Sequence, residues 1–328
     1  MTHIMSIKDP NAIQKACEFL VAGLPIAVPT ETVYGLAVDA RNPIAISRLY
    51  EIKKRPPINP LICHVSSIEM AKKYAHMDSI SLYLSQYFWP GPLTLLLKLI
   101  SNCDINPLTT SNLKTACFRI PCGFTRNLIK AYGHPLAIPS ANLSGQISLT
   151  SAKSILSNSI SKKIPLIIDG GDSEIGLEST IIEVKDDQKI YVLRPGGLEI
   201  EEIKRVSRKE LNQYIEKTLV PQAPGMLESH YAPRAKVRLQ VTSVNSGEAL
   251  IRFANTPIKN IENTIITLDL SPSGNLKEAA FNLFNYMKIA DDSGTNSIAF
   301  SKIPNHGLGI AINNRIERAA APRSGTEI

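Results

Sequence analysis

Pro135-Leu136-Ala137-Ile138-Pro139-Ser140-Ala141-Asn142-Leu143-Ser144-Gly145 is the stretch on which the reading of the whole chain turns. Its apolar run, Leu136 to Ile138, predicts a buried strand. Pro139 removes a backbone donor and fixes φ, so the strand ends there. Ser140, Asn142 and Ser144 then follow the carboxyl end of a strand, where open α/β sheets bind ligands. Their hydroxyl and amide groups can hydrogen-bond phosphate or ribose oxygens without adding charge. Alone, the stretch also fits an ordinary Ser/Asn turn, and its company elsewhere in the chain decides between the two.

Working outward, the same punctuation recurs. Pro25 to Pro29 reads as a buried strand running into the polar turn Thr30-Glu31-Thr32-Val33-Tyr34-Gly35, with a second apolar run from Leu36 to Val38. Before it, Asn11 to Ala22 has helical apolar spacing and stops at Gly23. Pro43 to Ile52 fits a helix with proline in its first turn. Lys53-Lys54-Arg55-Pro56-Pro57-Ile58-Asn59-Pro60 then predicts a stiff, extended basic loop, which costs less entropy to order around an anion than a flexible one. Leu61 to Val65, carrying His64, is a predicted strand, as are Leu93 to Leu99 and Thr115 to Ile120. Arg119 interrupts the last of these. A charge there needs a partner, either a buried carboxylate or an anionic ligand.

Downstream, Pro165 to Asp169, Ile181 to Val184 and Tyr191 to Leu193 read as strands, the last ending in Arg194-Pro195-Gly196-Gly197. Strands and helices alternate, so the class is α/β. Ile200 to Leu219 turns helical and polar. Val220 to Pro233 resembles a linker, yet it carries Met226, Leu227, His230 and Tyr231, side chains able to dock. After Lys236 three strand–helix units are expected: Val237 to Val241 with a helix near Ala249 to Phe253, Thr264 to Leu268 with Lys277 to Ile289, and Ser297 to Phe300 with Leu308 to Ala319. The expected organisation is a domain over 1–205, a helical segment and docking linker over 206–235, and a small parallel α/β domain over 236–328.

Composition agrees with this layout. At 328 residues two domains are the default, and 44% hydrophobic against 20% charged content argues against disorder. The net charge of +7 lies mostly in the first 235 residues, where an anionic partner, phosphorylated or nucleic acid, should be sought. Five cysteines without metal-ligand spacing predict reduced thiols. The N-terminus has no secretory pattern, and the longest apolar run, Leu93 to Ile100, contains Lys98, so the expected location is cytoplasmic with no membrane span. No P-loop, Gly-x-Ser-x-Gly or His-Glu-x-x-His motif is present.

The cations Lys53, Arg55, Arg119 and Arg194, each at a loop or strand end, join the clusters Thr30/Thr32, Ser140/Asn142 and Ser179/Thr180. Together they describe a site for a polyanion with sugar-like polar groups. Five motifs in order resemble the YrdC-domain family: Pro-Thr-Glu-Thr-Val-Tyr-Gly (29–35), Lys-Lys-Arg-Pro…Asn-Pro-Leu-Ile-Cys-His (53–64), Trp-Pro-Gly-Pro-Leu-Thr (89–94), Pro-Ser-Ala-Asn-Leu-Ser-Gly (139–145) and Gly-Leu-Glu-Ser-Thr-Ile (176–181). The segment Pro-Gly-Met-Leu-Glu-Ser-His-Tyr-Ala-Pro (224–233) and the small domain after it are similar to the family's longer, two-domain form. One departure is Ile58, where the family usually has aspartate, and another is the short segment leading to the linker.

The resemblance implies a YrdC-like twisted open sheet with flanking helices, and a small Rossmann-like parallel α/β C-terminal domain. It implies a nucleotidyl transfer in which L-threonine, bicarbonate and ATP give L-threonylcarbamoyladenylate and pyrophosphate, with Mg²⁺ accompanying ATP. The product would pass to a downstream tRNA threonylcarbamoyl-transferase complex, with direct tRNA or double-stranded RNA binding also open. By the same resemblance Lys53 and Arg55 are catalytic and, with Arg194, bind phosphates, while Thr115, Ser140, Asn142 and Tyr231 hold the nucleotide. Arg119 takes the threonine carboxylate, and Thr30, His64 and Ser179 line the amino-acid pocket. His230 and Tyr231 form a lid, and no protein metal site is expected. The competing readings are a non-catalytic RNA-binding module and a carbamoyl-transfer enzyme using carbamoyl phosphate.

Overall fold

The structure is a computed structural model that describes residues 2–213, 221–226 and 230–322. It divides into two compact units, one of Met1–Ser144, Leu149–Glu174 and Glu178–Met226, the other of Gly145–Ser148, Ile175–Leu177 and Leu227–Ile328. In the first, the strands are β1 (His3–Ser6), β2 (Ile26–Val28), β3 (Gly35–Asp39), β4 (Ile62–His64), β5 (Leu93–Lys98), β6 (Thr115–Arg119), β7 (Leu136–Ala137), β8 (Leu166–Asp169), β9 (Thr180–Val184), β10 (Ile190–Arg194) and β11 (Leu211–Gln213). Its helices are α1 (Ala12–Val21), α2 (Pro43–Lys53), α3 (Ile68–Lys72), α4 (Ser79–Phe88), α5 (Gly123–Tyr132), α6 (Ala152–Leu156) and α7 (Ile200–Ser207). The strands form one mixed, twisted sheet in the order β1-β8-β2-β3-β7-β4-β6-β5-β9-β10-β11.

Alternation along the strands explains how both faces are filled, because successive side chains point to opposite sides. Ile26, Val28, Ala37, Leu166 and Ile168 pack with Ala12, Ala16 and Leu20 of α1 and Leu128 and Ile129 of α5. The intervening Ala27, Leu36, Val38 and Ile167 join Ile46 and Leu49 of α2 and Leu84 of α4 in a second cluster. Residues buried on both faces read as continuous apolar runs, which is why these strands stand out so plainly in the sequence. The strand predicted from Leu136 closes after Ala137, and Leu36 N–H donates to Pro139 O at 2.8 Å.

Several local expectations need correction. Lys53 is the last residue of α2 rather than part of an extended loop, the helix closing at Lys54 with φ 51°. The helix expected over 200–219 ends at Ser207, followed by β11, and the rest of that range lies outside the described residues. Edge strand β1, exposed along most of its length, carries no strand signal in the sequence.

The second unit holds β12 (Lys236–Arg238), β13 (Ala249–Arg252), β14 (Ile266–Asp269), β15 (Ser297–Phe300), α8 (Leu276–Asp292) and α9 (Leu308–Ala320). All four strands are parallel, in the order β12-β15-β13-β14. The segment near Ala249 to Phe253, expected as helix, is the central strand β13. Ala249, Leu250 and Ile251 are buried, and a short apolar run carries no period that separates a strand from a buried helix. Helix α8 packs on β13 and β15, α9 on β12, and the two helices touch. Among the described residues no helix is long and apolar enough to cross a membrane.

Candidate active site

The site begins with the end of α2. Asn42 caps this helix by accepting from Ile44 N–H and Ala45 N–H at 3.0 and 3.1 Å, with Pro43 at its first position. Ten residues on, the helix delivers Lys53 into the interior, where its amine donates to Ser140 O at 2.5 Å and to Asn142 O. Ser144 N–H returns a bond to Lys53 O at 2.8 Å, so the quoted stretch wraps around this lysine. Ser140 hydroxyl donates to Asn142 Oδ1, and Asn142 Nδ2 donates to Leu143 O at 2.8 Å. Burial pushes the Lys53 amine well below the ordinary lysine range, and the nearby Arg55 charge pushes in the same direction. Two carbonyls ask for two N–H bonds, which a neutral amine still supplies.

Arg55 lies beside it, also buried. Its Nε donates to Asn59 O at 3.0 Å and one terminal nitrogen to Asn59 Oδ1 and Pro60 O, both at 2.7 Å. Asn59 is fully buried, and its Nδ2 has no hydrogen-bond partner among the described residues. A buried donor left open costs of order 1–3 kcal/mol, so Asn59 joins the candidate site, a residue to which the sequence reading gave no role. Its signal was the Asn-Pro that ends the basic loop. Ile58, the departure from the family pattern, is exposed and leaves these contacts intact.

Arg119 ends β6 and is buried among acceptors. It donates to Glu31 Oε1 at 2.5 Å, to Thr32 hydroxyl at 2.9 Å and, through Nε, to Gly91 O at 3.1 Å. Of the two partners open to it from sequence, a carboxylate or an anionic ligand, the structure supplies the carboxylate. Thr32 hydroxyl bonds Thr30 hydroxyl at 2.8 Å, and Thr30 donates to Val33 O at 2.6 Å. His64 stands opposite Arg119 in the parallel β4–β6 register. Burial first, then the Arg119 charge, pushes its imidazole well below the ordinary range, so it is neutral. Its Nδ1 lies 3.2 Å from Ile62 O, which assigns the proton to Nδ1 and leaves Nε2 as an acceptor.

Ser179 anchors a third group. Its hydroxyl lies 2.7 Å from Thr94 hydroxyl, and Arg194 donates to Ser179 O at 2.8 Å and to its hydroxyl at 3.2 Å. A further Arg194 N–H reaches Pro224 O at 3.3 Å. Gly196 lets the chain after Arg194 lie against the backbone of Glu178 and Ser179: a Cβ there would stand 2.3 Å from Glu178 O and 2.6 Å from Ser179 O. Thr115 opens β6, opposite Lys98, about 13 Å from Arg119 at the rise of an extended strand.

The structure thus joins Lys53 with Ser140 and Asn142, Arg119 with Thr30 through Thr32, and Arg194 with Ser179. Of the linker residues, Met226 packs with Ile62, Leu96 and Leu193 in the first unit, and His230 and Tyr231 lie in the second. The Tyr231 ring, 1% exposed, lies 5.6 Å from Phe284 and 4.9 Å from the Arg315 guanidinium. His230 N–H donates to Arg318 O at 3.2 Å, and Leu227 to Ser229 lie outside the described residues.

Residues 18–196 match the profile Sua5–YciO–YrdC, described as "Telomere recombination". The chain belongs to that family. Residues 198–321 match a second profile of the family, described as "Threonylcarbamoyl-AMP synthase, C-terminal domain". A threonylcarbamoyl-AMP synthase of Pyrococcus abyssi is 34% identical over 98% of this chain and 99% of its own length. One of Bacillus subtilis is 33% identical over 98% and 96%. Among solved structures, P. abyssi Sua5 complexed with L-threonine matches with a TM-score of 0.87 and 32% identity, over 97% of this chain and 98% of that one.

Proposed function

We propose that this chain makes L-threonylcarbamoyladenylate from L-threonine, bicarbonate and ATP, a nucleotidyl transfer that releases pyrophosphate. The observation that carries the reading is that relatives bearing this enzyme's name align across both units of the chain, not one alone. In the first step the threonine nitrogen bonds the bicarbonate carbon and water leaves, giving N-carboxy-threonine. Its new carboxylate oxygen then bonds the α-phosphorus of ATP as the bond to the β-phosphate oxygen breaks, and pyrophosphate departs.

The triphosphate, bicarbonate, the threonine carboxylate and the carbamate formed on it are all negative, so the site has to offset their repulsion while holding them in line. In this reading Lys53, Arg55 and Arg194 take phosphates, and Ser140, Asn142, Asn59 and Thr115 hold the nucleotide. Arg119 takes the amino-acid carboxylate, with Thr30, His64 and Ser179 around the rest of the amino acid. Neutral His64 offers Nε2 as an acceptor to the substrate ammonium or hydroxyl without adding charge. Mg²⁺ enters as part of the ATP substrate. The carbamate and the mixed anhydride both react with water, which calls for closure of the pocket during turnover. The product is then handed to a transferase acting on tRNA.

The test is pyrophosphate release from ATP with threonine and bicarbonate omitted in turn. Dependence on both is expected. Release without threonine overturns the reading, as does replacement of bicarbonate by carbamoyl phosphate with full activity.

A further inference from the structure

We infer that Glu31 is a positioning residue that fixes and charge-balances Arg119, so that this pocket binds the single negative charge of an amino-acid carboxylate and rejects phosphate. The inference rests on the reading of Arg119 just given. Glu31 is buried in the polar turn between β2 and β3 and is held at both oxygens. Oε1 accepts from Arg119 at 2.5 Å, and Oε2 accepts from Cys122 N–H at 3.0 Å, at the start of α5. A carboxylate at a helix N-terminus is stabilised by the oriented backbone dipoles, so Glu31 is a fixed support rather than a mobile counter-ion.

The guanidinium has five N–H bonds in a rigid plane. Gly91 O takes the one on Nε, Thr32 hydroxyl one on the first terminal nitrogen, and Glu31 one on the second. Among the described residues these three acceptors leave Arg119 a second N–H on each terminal nitrogen to offer a carboxylate. Three acceptors in three directions also determine where that pair points.

The charge balance has a separate consequence. A lone buried guanidinium attracts any anion, and phosphate, doubly charged near neutral pH, more than a carboxylate. Glu31 cancels the charge of Arg119, so the pair accepts a net-neutral zwitterion, whose ammonium accompanies its carboxylate, whereas a phosphate would bring uncompensated negative charge; triphosphate and pyrophosphate are left to the other cations.

The experiment compares Glu31→Gln and Glu31→Ala with the parent chain in threonine-dependent pyrophosphate release, after thermal unfolding shows that each folds. We expect Glu31→Ala to raise the threonine KM about tenfold or more, with the ATP KM within about twofold. Glu31→Gln, which keeps an acceptor for Arg119 but loses the charge, should recover most of the threonine KM while making inorganic phosphate a competitive inhibitor against threonine. An unchanged threonine KM together with unchanged phosphate inhibition in Glu31→Gln overturns the inference, even if Glu31→Ala fails to fold. Parallel rises in both KM values overturn it too. Absence of threonine-dependent release in the parent chain would instead sink the functional reading.

Discussion

Lys53 and Arg119 are both basic, both buried and both delivered by the end of a regular element, yet they are prepared differently. Arg119 meets a carboxylate, a hydroxyl and a carbonyl. Lys53 meets two carbonyls, and burial drives its amine toward the neutral form. A paired cation is ready to add one more monoanion in a fixed direction. An amine without counter-charge is held in a costly state that a polyanion relieves. The first arrangement suits recognition of a carboxylate, the second suits a phosphate whose charge shifts during reaction.

The contrast is tested most severely by removing each group. Lys53→Ala should lower threonine-dependent pyrophosphate release by about a thousandfold or more, with a lower Tm from the two carbonyls it leaves open, and Lys53→Met, which keeps the buried volume, should show the same loss of release. Release within tenfold of the parent would remove Lys53 from the chemistry. Arg119→Lys keeps the charge but loses the planar fork, so the threonine KM should rise roughly 10- to 100-fold, with a much smaller change for ATP. If the Lys53 and Arg119 variants affected ATP and threonine alike, the division of labour between these cations would be wrong.

Protonation sharpens the comparison further. In the free protein the Lys53 pKa lies well below that of an unfolded lysine, so between those two values the unfolded chain binds more protons, and stability rises with pH across that window. If ATP binds at Lys53, its phosphates favour the ammonium form and raise the pKa again. Binding ATP should therefore take up protons in the same window, up to one per site, and ATP affinity should weaken as pH rises through it. Titration calorimetry in buffers of different ionisation enthalpy measures the uptake. Its persistence in Lys53→Met would assign it to some other group.

How much of this is legible in the sequence depends on the kind of contact. The strand ending at Pro139 and the proline-led helix before Lys53 are readable because proline and apolar runs act locally. The bond from Lys53 to Ser140 spans 87 positions, and what joins the two in the sequence is family resemblance, not spacing. Arg119 announces that it needs a partner, but Glu31 sits 88 positions away in a turn whose acidic residue looks like any exposed one. Asn59 escapes notice for the opposite reason: beside three cations and three prolines an amide draws no attention, and only its open buried donor marks it. In the smaller unit, β13 reads as helix because a short buried strand and a short buried helix share one composition.

The gentlest probe concerns Ser179, which stands between an arginine and a neutral support. Its hydroxyl lies within 2.7 Å of Thr94, a fully buried residue on β5, and also accepts from Arg194. Thr94→Val removes one hydroxyl at nearly constant shape, so it takes a partner from Ser179 without opening a cavity. The expected loss is about 1 kcal/mol of stability, read as a small fall in Tm. If Ser179 lines the amino-acid pocket, the threonine KM should rise by a few fold, because the hydroxyl is still held by Arg194 but no longer fixed in direction. A loss of stability with no change in threonine KM would move Ser179 out of the pocket and leave it as the shelf on which Arg194 rests. Recognition of the carboxylate would then fall to Arg119 and Glu31 with less help from β9 than proposed.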